Sequence, residues 1–401
     1  MMGFFGGRRL FRSLQIVNNV VLRSCKSLPV MALAVGLASC QSISIDDSFK
    51  LQNPTSNISK PSGSSETFGS GSVKVSMIVN RTNASGVNAT GLAYRNGAAL
   101  AVKDLGSQSI KLTILDAKGS PERVRSLAQS EIGKKTQLLI VPGDSASVSS
   151  VSSLVSNNGP TVIALGATAG QGVYSFLPRA ADGLTAGIRY AAAGKKKSVL
   201  IIAPQTSASS VLNAVKRGLD NSVTVSGVAP YLGTPSPAQF VRLFSSKLRN
   251  TDIVAFSDRT NFVAQIAAEL KKSTRYRKIT LVGREDWPAS LMASPALQGA
   301  IIATRDTSGT SLIADRYNAT YSQKLSTSAA YGYDLIALAS GLVRAKGPTG
   351  LSRRQITAPS GFGGTTGLFR FGSRGQAERL YQISKVENGK LKVVQKSPGS
   401  F

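Results

Sequence analysis

The sequence predicts an α/β protein built from two doubly wound, Rossmann-like lobes joined by a hinge. Three observations carry that prediction. From Val73 onward short β-branched runs alternate with helical windows; after "GKKKS" the alternation restarts as a second series of similar length; and further elements follow once both series are complete.

The first series reads "VKVSMIV", helix "GLAYRNGAALAVKDL", "IKLTIL", helix "PERVRSLAQSEI", "QLLIV", helix "SVSSVSSLVSNN", "TVIAL", helix "DGLTAGIRYAAA". Apolar strands bounded by glycine, proline and serine suit a parallel sheet covered on both faces. In the first helix Leu92, Ala99 and Val102 recur near helical spacing, which puts Arg95 and Lys103 on the wet side. The second series runs "VLIIAP", helix, "SVTVSGV", helix, "DIVAFS", helix, "KITLVG" and finally "GAIIAT". Two helices around "SLIADRYNATYSQKL" and "AAYGYDLIALASGLVRA" come next, then a glycine-rich turn and a β-rich end. A chain that returns after two complete units crosses between lobes more than once. The expected bounds are 73–192 plus about 306–350 for lobe 1, and 193–305 plus about 360–398 for lobe 2. In such sheets ligands sit beyond the carboxyl ends of the strands, which between two lobes means the cleft.

Upstream, residues 28–38 ("LPVMALAVGLA") form an apolar segment behind a basic leader. A membrane span needs about 20 residues, so the segment fits a secretory signal instead. Leu37-Ala38-Ser39 before Cys40 resemble a bacterial lipobox, in which the thiol is acylated and Cys40 becomes the first residue of the cut chain. Residues 1–39 are therefore expected to be a lipoprotein signal peptide, and the Ser/Gly-rich stretch 40–72 a flexible tether.

Composition narrows the chemistry. The chain has 401 residues, no histidine, and a formal charge of +28. Without imidazole there is no Ser-His-Asp or Cys-His relay, and most zinc sites lose a ligand type. Cys25 and Cys40 are the only cysteines, so the body has neither thiol nor disulfide. "AAAGKKKS" lacks the glycine and hydroxyl of a phosphate loop, and "GDSAS" lacks the last glycine of a nucleophile elbow. The expectation is a protein that is not an enzyme and takes no cofactor.

The order of elements, with "YRNGAALAV", "GDSAS", "ALGATAG" and "AAYGYDLIALASGL", resembles type I periplasmic binding proteins of the leucine/isoleucine/valine-binding family. "GREDW", "SPALQGAIIA" and "GFGGTTGLFRFGSRGQAERLYQISKVENGK" resemble the alphaproteobacterial branch of lipoproteins described as penicillin-binding protein activators. The first resemblance implies a cleft that holds an amino-acid-like ligand. Its matching positions are Ser147 (Ser145 in the alternative register), Ala167 and Thr168 in lobe 1, and Glu285 in lobe 2. The family's aromatic after the first strand of lobe 2 is missing, since Gln205 and Thr206 stand there. Asp182 reads most simply as a helix N-cap, and Trp287 as a packing residue.

The positive charge clusters at Lys195-Lys196-Lys197, at Lys271-Lys272 with "RYRK", and at Arg353-Arg354. Only Tyr276 interrupts these runs, which argues against a nucleic-acid partner and leaves anionic lipid, wall polymer, an acidic partner or a charge that serves solubility alone. Two readings stand open. One is a lipid-anchored receptor that presents an amino-acid-like ligand to an ABC importer. The other is a lipoprotein of the outer membrane that activates a peptidoglycan synthase, a penicillin-binding protein, by protein contact.

Overall fold

The computed structural model describes residues 63–194 and 197–401; Cys25, Cys40, Lys195 and Lys196 lie outside the described residues. Lobe 1 begins with β1 (Ser65–Phe68) and β2 (Val73–Val79), then a short hairpin of β3 (Thr82–Asn83) and β4 (Gly86–Val87). It continues through α1 (Ala89–Ala101), β5 (Ile110–Asp116), α2 (Pro121–Gly133), β6 (Leu138–Pro142), α3 (Ser145–Ser152), β7 (Thr161–Leu165) and β8 (Val173–Ser175). The sheet order is β1-β5-β2-β6-β7-β8, parallel except for β1.

Lobe 2 comprises α4 (Ala180–Ala192), β9 (Ser198–Pro204), α5 (Ala208–Gly218), β10 (Thr224–Tyr231), α6 (Pro237–Leu243), α7 (Ser245–Leu248), β11 (Ile253–Phe256), α8 (Asn261–Lys272), β12 (Thr280–Gly283), α9 (Ala289–Met292) and β13 (Ile301–Thr304). The chain then returns to lobe 1 with α10 (Ser311–Tyr321), α11 (Thr327–Lys346), α12 (Arg353–Ile356) and a small antiparallel sheet of β14 (Phe362–Gly364), β15 (Gly367–Phe371) and β16 (Ala377–Arg379). It ends back on lobe 2, where β17 (Gln382–Glu387) and β18 (Lys390–Gln395) extend the order β10-β9-β11-β12-β13-β17-β18. The chain thus crosses three times. Among the described residues no helix is long and apolar enough to cross a membrane.

Each sheet is buried on both faces, as the unbroken apolar strands require. In lobe 1, α1 and α11 share one core with β2, β5 and β6, while α2 and α3 cover the other face. In lobe 2, α4 and α5 cover one face and α6 and α8 the other. The α1–α11 crossing explains two sequence motifs. A Cβ on Gly97 would run into the backbone of Ala329, and one on Gly332 into the backbone of Tyr94. The glycines of "YRNGAALAV" and "AAYGYD" let the two helix backbones touch. Asn88 starts α1 by accepting from the amides of Thr90 (3.0 Å) and Gly91 (3.1 Å).

A third motif docks on the same helix. Asp334 of α11 is fully buried, and its carboxylate accepts from the amide and hydroxyl of Thr365 (2.7 and 2.8 Å) and of Thr366 (3.0 and 2.5 Å). Burial pushes its pKa up, and the four donors oppose that push. The "GGTTG" turn is thereby fixed to lobe 1, and Phe362, Phe369 and Phe371 join the lobe 1 core.

Several expectations need correction. Helix α4 belongs to lobe 2, not lobe 1: Leu184 and Ile188 pack with Val199, Ile201, Val282 and Ile301. The segment 362–379, expected in lobe 2, packs on lobe 1. Apolar periodicity announces a helix or strand without saying which sheet it covers. Ser65–Phe68 lies within the stretch expected as tether, yet it is a strand paired with β5. Arg95 is not on the wet side. It is 1% exposed and, with Arg81 (4%), clamps the Glu66 carboxylate of β1: Arg81 Nη1 to Oε2 is 2.7 Å and Arg95 Nε to Oε2 is 3.0 Å. Asp182 sits three residues into the entry of α4 and accepts from the Arg179 amide at 2.9 Å, so it reaches back to the cap instead of being it.

Candidate functional site

The carboxyl ends of the central strands create one crevice in each lobe, at the point where strand order reverses. In lobe 1 a crevice of about 180 Å³ lies between the ends of β2 and β6, among Asn80, Asn88, Tyr94, Gly143 and Asp144. In lobe 2 a larger one, about 480 Å³, lies beyond β9, β10 and β11, among Gln205, Thr206, Tyr231, Leu232, Asp258 and Gln265.

None of the ligand positions expected from the sequence lines either crevice: Ser145 and Ser147 follow β6, Ala167 and Thr168 follow β7, and Glu285 follows β12. Ser145 is exposed in the first turn of α3, whereas Ser147 is 2% exposed and its amide donates to Asp144 at 2.9 Å. Asp144 caps α3 and brings a negative charge to the helix end where a ligand carboxylate would sit. Thr168 is exposed; Ala167 is half-buried, and its carbonyl accepts from Gln376 Nε2 at 2.7 Å. Gln376 comes from the turn between β15 and β16, so the returning chain braces this loop.

Glu285 does not pair with its neighbour Arg284, which instead grips Asp286. Both carboxylate oxygens of Glu285 take Arg305 Nε, at 3.1 and 3.0 Å, and one also takes the Arg305 amide at 3.0 Å. Arg305 begins the second crossover and donates onward to the Tyr331 hydroxyl of α11. At the end of β16 the buried Arg379 guanidinium lies 4.9 Å from the ring centre of Phe176 and 5.2 Å from those of Tyr331 and Phe369. It also donates to the Phe176 carbonyl at 3.1 Å. Burial and the charge of Arg305 lower its pKa to about 10. The three crossovers are stitched together by these two arginines, which the sequence reading missed. Arg305 stands directly after β13 and Arg379 is the last residue of β16, so each is a charged side chain where a strand gives way to a crossover.

Residues 72–390 match the family model described as periplasmic binding protein. The chain belongs to that family. It has no match among curated proteins. In fold it is similar to a Rhodospirillum rubrum protein assigned to branched-chain amino acid ABC transport, with 15% identity and a TM-score of 0.62 over 80% of this chain and 99% of that one. It is also similar to the LpoA C-domain from Haemophilus influenzae, a regulator of PBP1A (14%, 0.60, 80% and 99%). A third is an ABC transporter solute binding protein from Rhodopseudomonas palustris in complex with 3,4-dihydroxybenzoic acid (18%, 0.52, 82% and 97%). These identities speak for the two-lobed fold alone.

Within this periplasmic binding protein the lobe 2 crevice has its own electrostatics. Its lining contains no Lys or Arg, and its one charged group is Asp258. The Asp258 carboxylate accepts from the Tyr231 and Thr260 hydroxyls and from the Arg259 amide at 2.7 Å. Burial alone would raise its pKa, but these donors outweigh it and the pKa is lowered. Asp116, held by the amides of Arg81 and Lys118 (each 3.0 Å) and the Thr82 hydroxyl (2.8 Å), is lowered in the same way. A carboxylate harder to protonate in the folded state contributes stability at neutral pH, and that contribution disappears as pH falls through the depressed value. The contribution of Asp258 and Asp116 to the urea midpoint is therefore expected to stay level from neutrality to about pH 5 and to fall below about pH 4. Asp258→Asn should shrink the fall; an identical profile would show that Asp258 has no such coupling.

Trp287 is 4% exposed and donates its indole N–H to the Asp258 carbonyl at 2.8 Å, which makes it a packing residue beneath the same loop.

Proposed function

We propose that this protein is a cell-envelope lipoprotein, anchored through Cys40, that activates a peptidoglycan synthase by protein contact. The observation that carries this reading is the internal commitment of the cleft. Glu285, the group that would meet a ligand ammonium, is held on both oxygens by Arg305. Asp144 opposes a ligand carboxylate at the start of α3, and no aromatic follows β9 to close over a ligand. A ligand ammonium would have to share the Glu285 carboxylate with the Arg305 guanidinium, and a ligand carboxylate would meet the negative charge of Asp144. The basic body and the fold shared with the LpoA C-domain support the same reading.

The test is reconstitution. The purified protein is expected to co-purify with a penicillin-binding protein from the envelope and to raise its glycan polymerisation rate; no association, together with normal wall synthesis after deletion, would overturn the proposal.

A second reading has one observation in its favour. The open lobe 2 crevice, with its amides and hydroxyls, has the volume for a small solute. The positions implied by the family resemblance, Ser145 or Ser147, the Ala167–Thr168 loop and Glu285, lie outside that crevice and would have to contribute from beyond it. Calorimetry with leucine, isoleucine and valine decides it: saturable heat, lost in Thr168→Ala, would establish the receptor and displace the regulator.

A further inference from the structure

We infer that one face of lobe 2, formed by α6, α7 and the turn after α8, docks on an anionic lipid surface. Residues 237–279 hold nine Lys and Arg against three acids. Those acids are occupied: Asp258 by its hydroxyl donors, Glu269 by Lys272 at 2.8 Å, and Asp252 by the amides of Lys197 and Ser198. The structure gathers the cations. Tyr276, between Arg275 and Arg277, packs against the lobe 2 core, as does Phe244, and its hydroxyl donates to the Ser245 carbonyl at 3.5 Å. The turn that carries Arg275 and Arg277 therefore lies against the α6–α7 junction that carries Arg242, Lys247 and Arg249, and all five side chains are exposed.

A polyanion of any kind would answer the charge, so the choice of lipid rests on Leu243. It is 74% exposed at the end of α6, directly between Arg242 and the half-buried Phe244. A leucine amid cations gains nothing from a hydrated sugar-phosphate chain. In a bilayer interface it enters the acyl boundary while the arginines stay with the headgroup phosphates. Binding at such an interface grows with the apolar area buried and with the attraction to anionic headgroups. The inference is independent of whether the protein regulates a synthase or receives a solute.

The test uses the chain from residue 41 onward, which contains every strand of both sheets and every core residue described above, so that no acyl anchor contributes. Sedimentation with phosphatidylcholine vesicles, with and without phosphatidylglycerol, is expected to show binding only to the anionic vesicles, and binding should weaken as salt rises. Arg275→Glu with Arg277→Glu should weaken it about tenfold or more. Leu243→Ser, which leaves the charge unchanged, should weaken it about threefold or more. All three residues are exposed, and circular dichroism checks that the variants fold. Reversal of Lys390 and Lys392, on β18 outside this face, should have less effect than the Arg275 and Arg277 reversal. Equal loss from both pairs would overturn the assignment of the face. An unaffected Leu243→Ser variant, with inorganic polyphosphate competing fully, would overturn the lipid and leave a general polyanion surface.

Discussion

Replacing Glu66 with alanine is expected to lower the unfolding free energy by about 3–5 kcal/mol, the cost of removing one partner from a buried ion pair. The carboxylate is 9% exposed and serves two guanidiniums, Arg81 and Arg95, whose side chains are 4% and 2% exposed. Without it two buried positive charges face each other near the edge of the lobe 1 sheet. Strand β1 should also detach, because its four register pairs with β5 are its only described ladder. Urea unfolding measures the first effect, and amide exchange at residues 65–68 and along β5 the second. Glu378→Ala is the contrast: its pair with Arg370 is exposed on both sides, at 48% and 34%, and its loss should cost less than about 1 kcal/mol. If Glu66→Ala unfolds at the wild-type urea concentration, the clamp contributes nothing.

The second large effect is expected at Asp334. Asp334→Ala leaves two amides and two hydroxyls of Thr365 and Thr366 without their acceptor inside the core, and each such donor costs about 1–3 kcal/mol. Hydroxyls can turn to other partners while amides cannot, so a total of about 3–5 kcal/mol is expected. Asp334→Asn keeps one acceptor oxygen and the side-chain shape, and should lose roughly half as much. The damage should be regional as well as global. Exchange should quicken first in β14, β15 and β16, which the Asp334 clamp fixes to α11. Uniform loss across both lobes would mean that the turn is held by its phenylalanines instead.

The strands and helices were readable to a high degree because their signal is local. "TVIAL" is β7 to the residue, and "NFVAQIAAELKK" is α8. What could not be read was which lobe an element serves, since α4 and β14–β16 look the same whichever sheet they cover. Arg95 shows the same limit at the level of one side chain. Helical periodicity sends a charge outward unless a partner arrives, and its partner Glu66 lies 29 positions upstream in a stretch whose composition looks like tether. The motifs that carried the family resemblance also acquired a physical meaning. "YRNGAALAV" and "AAYGYD" are the two sides of one close helix crossing, and "GGTTG" is the ring of donors around Asp334. They are determinants of fold, and this explains why they identify the family without naming a ligand. The positions expected at the cleft follow β6, β7 and β12. Their partners, Arg305 and Gln376, came from crossovers and turns far along the chain.

The three crossovers have a consequence for the order in which the molecule can be made. Lobe 1 lacks half of its main core until the segment from α10 to β16 is present, and the sheet of lobe 2 is incomplete until β17 pairs with β13. A growing chain therefore finishes lobe 1 only once residue 379 is available and the β13–β17 pairing of lobe 2 only once residue 387 is, and contacts this distant in sequence form slowly. The polypeptide stays incompletely folded for nearly its whole synthesis, and the topology that stitches the hinge is the same one that delays closure of both cores.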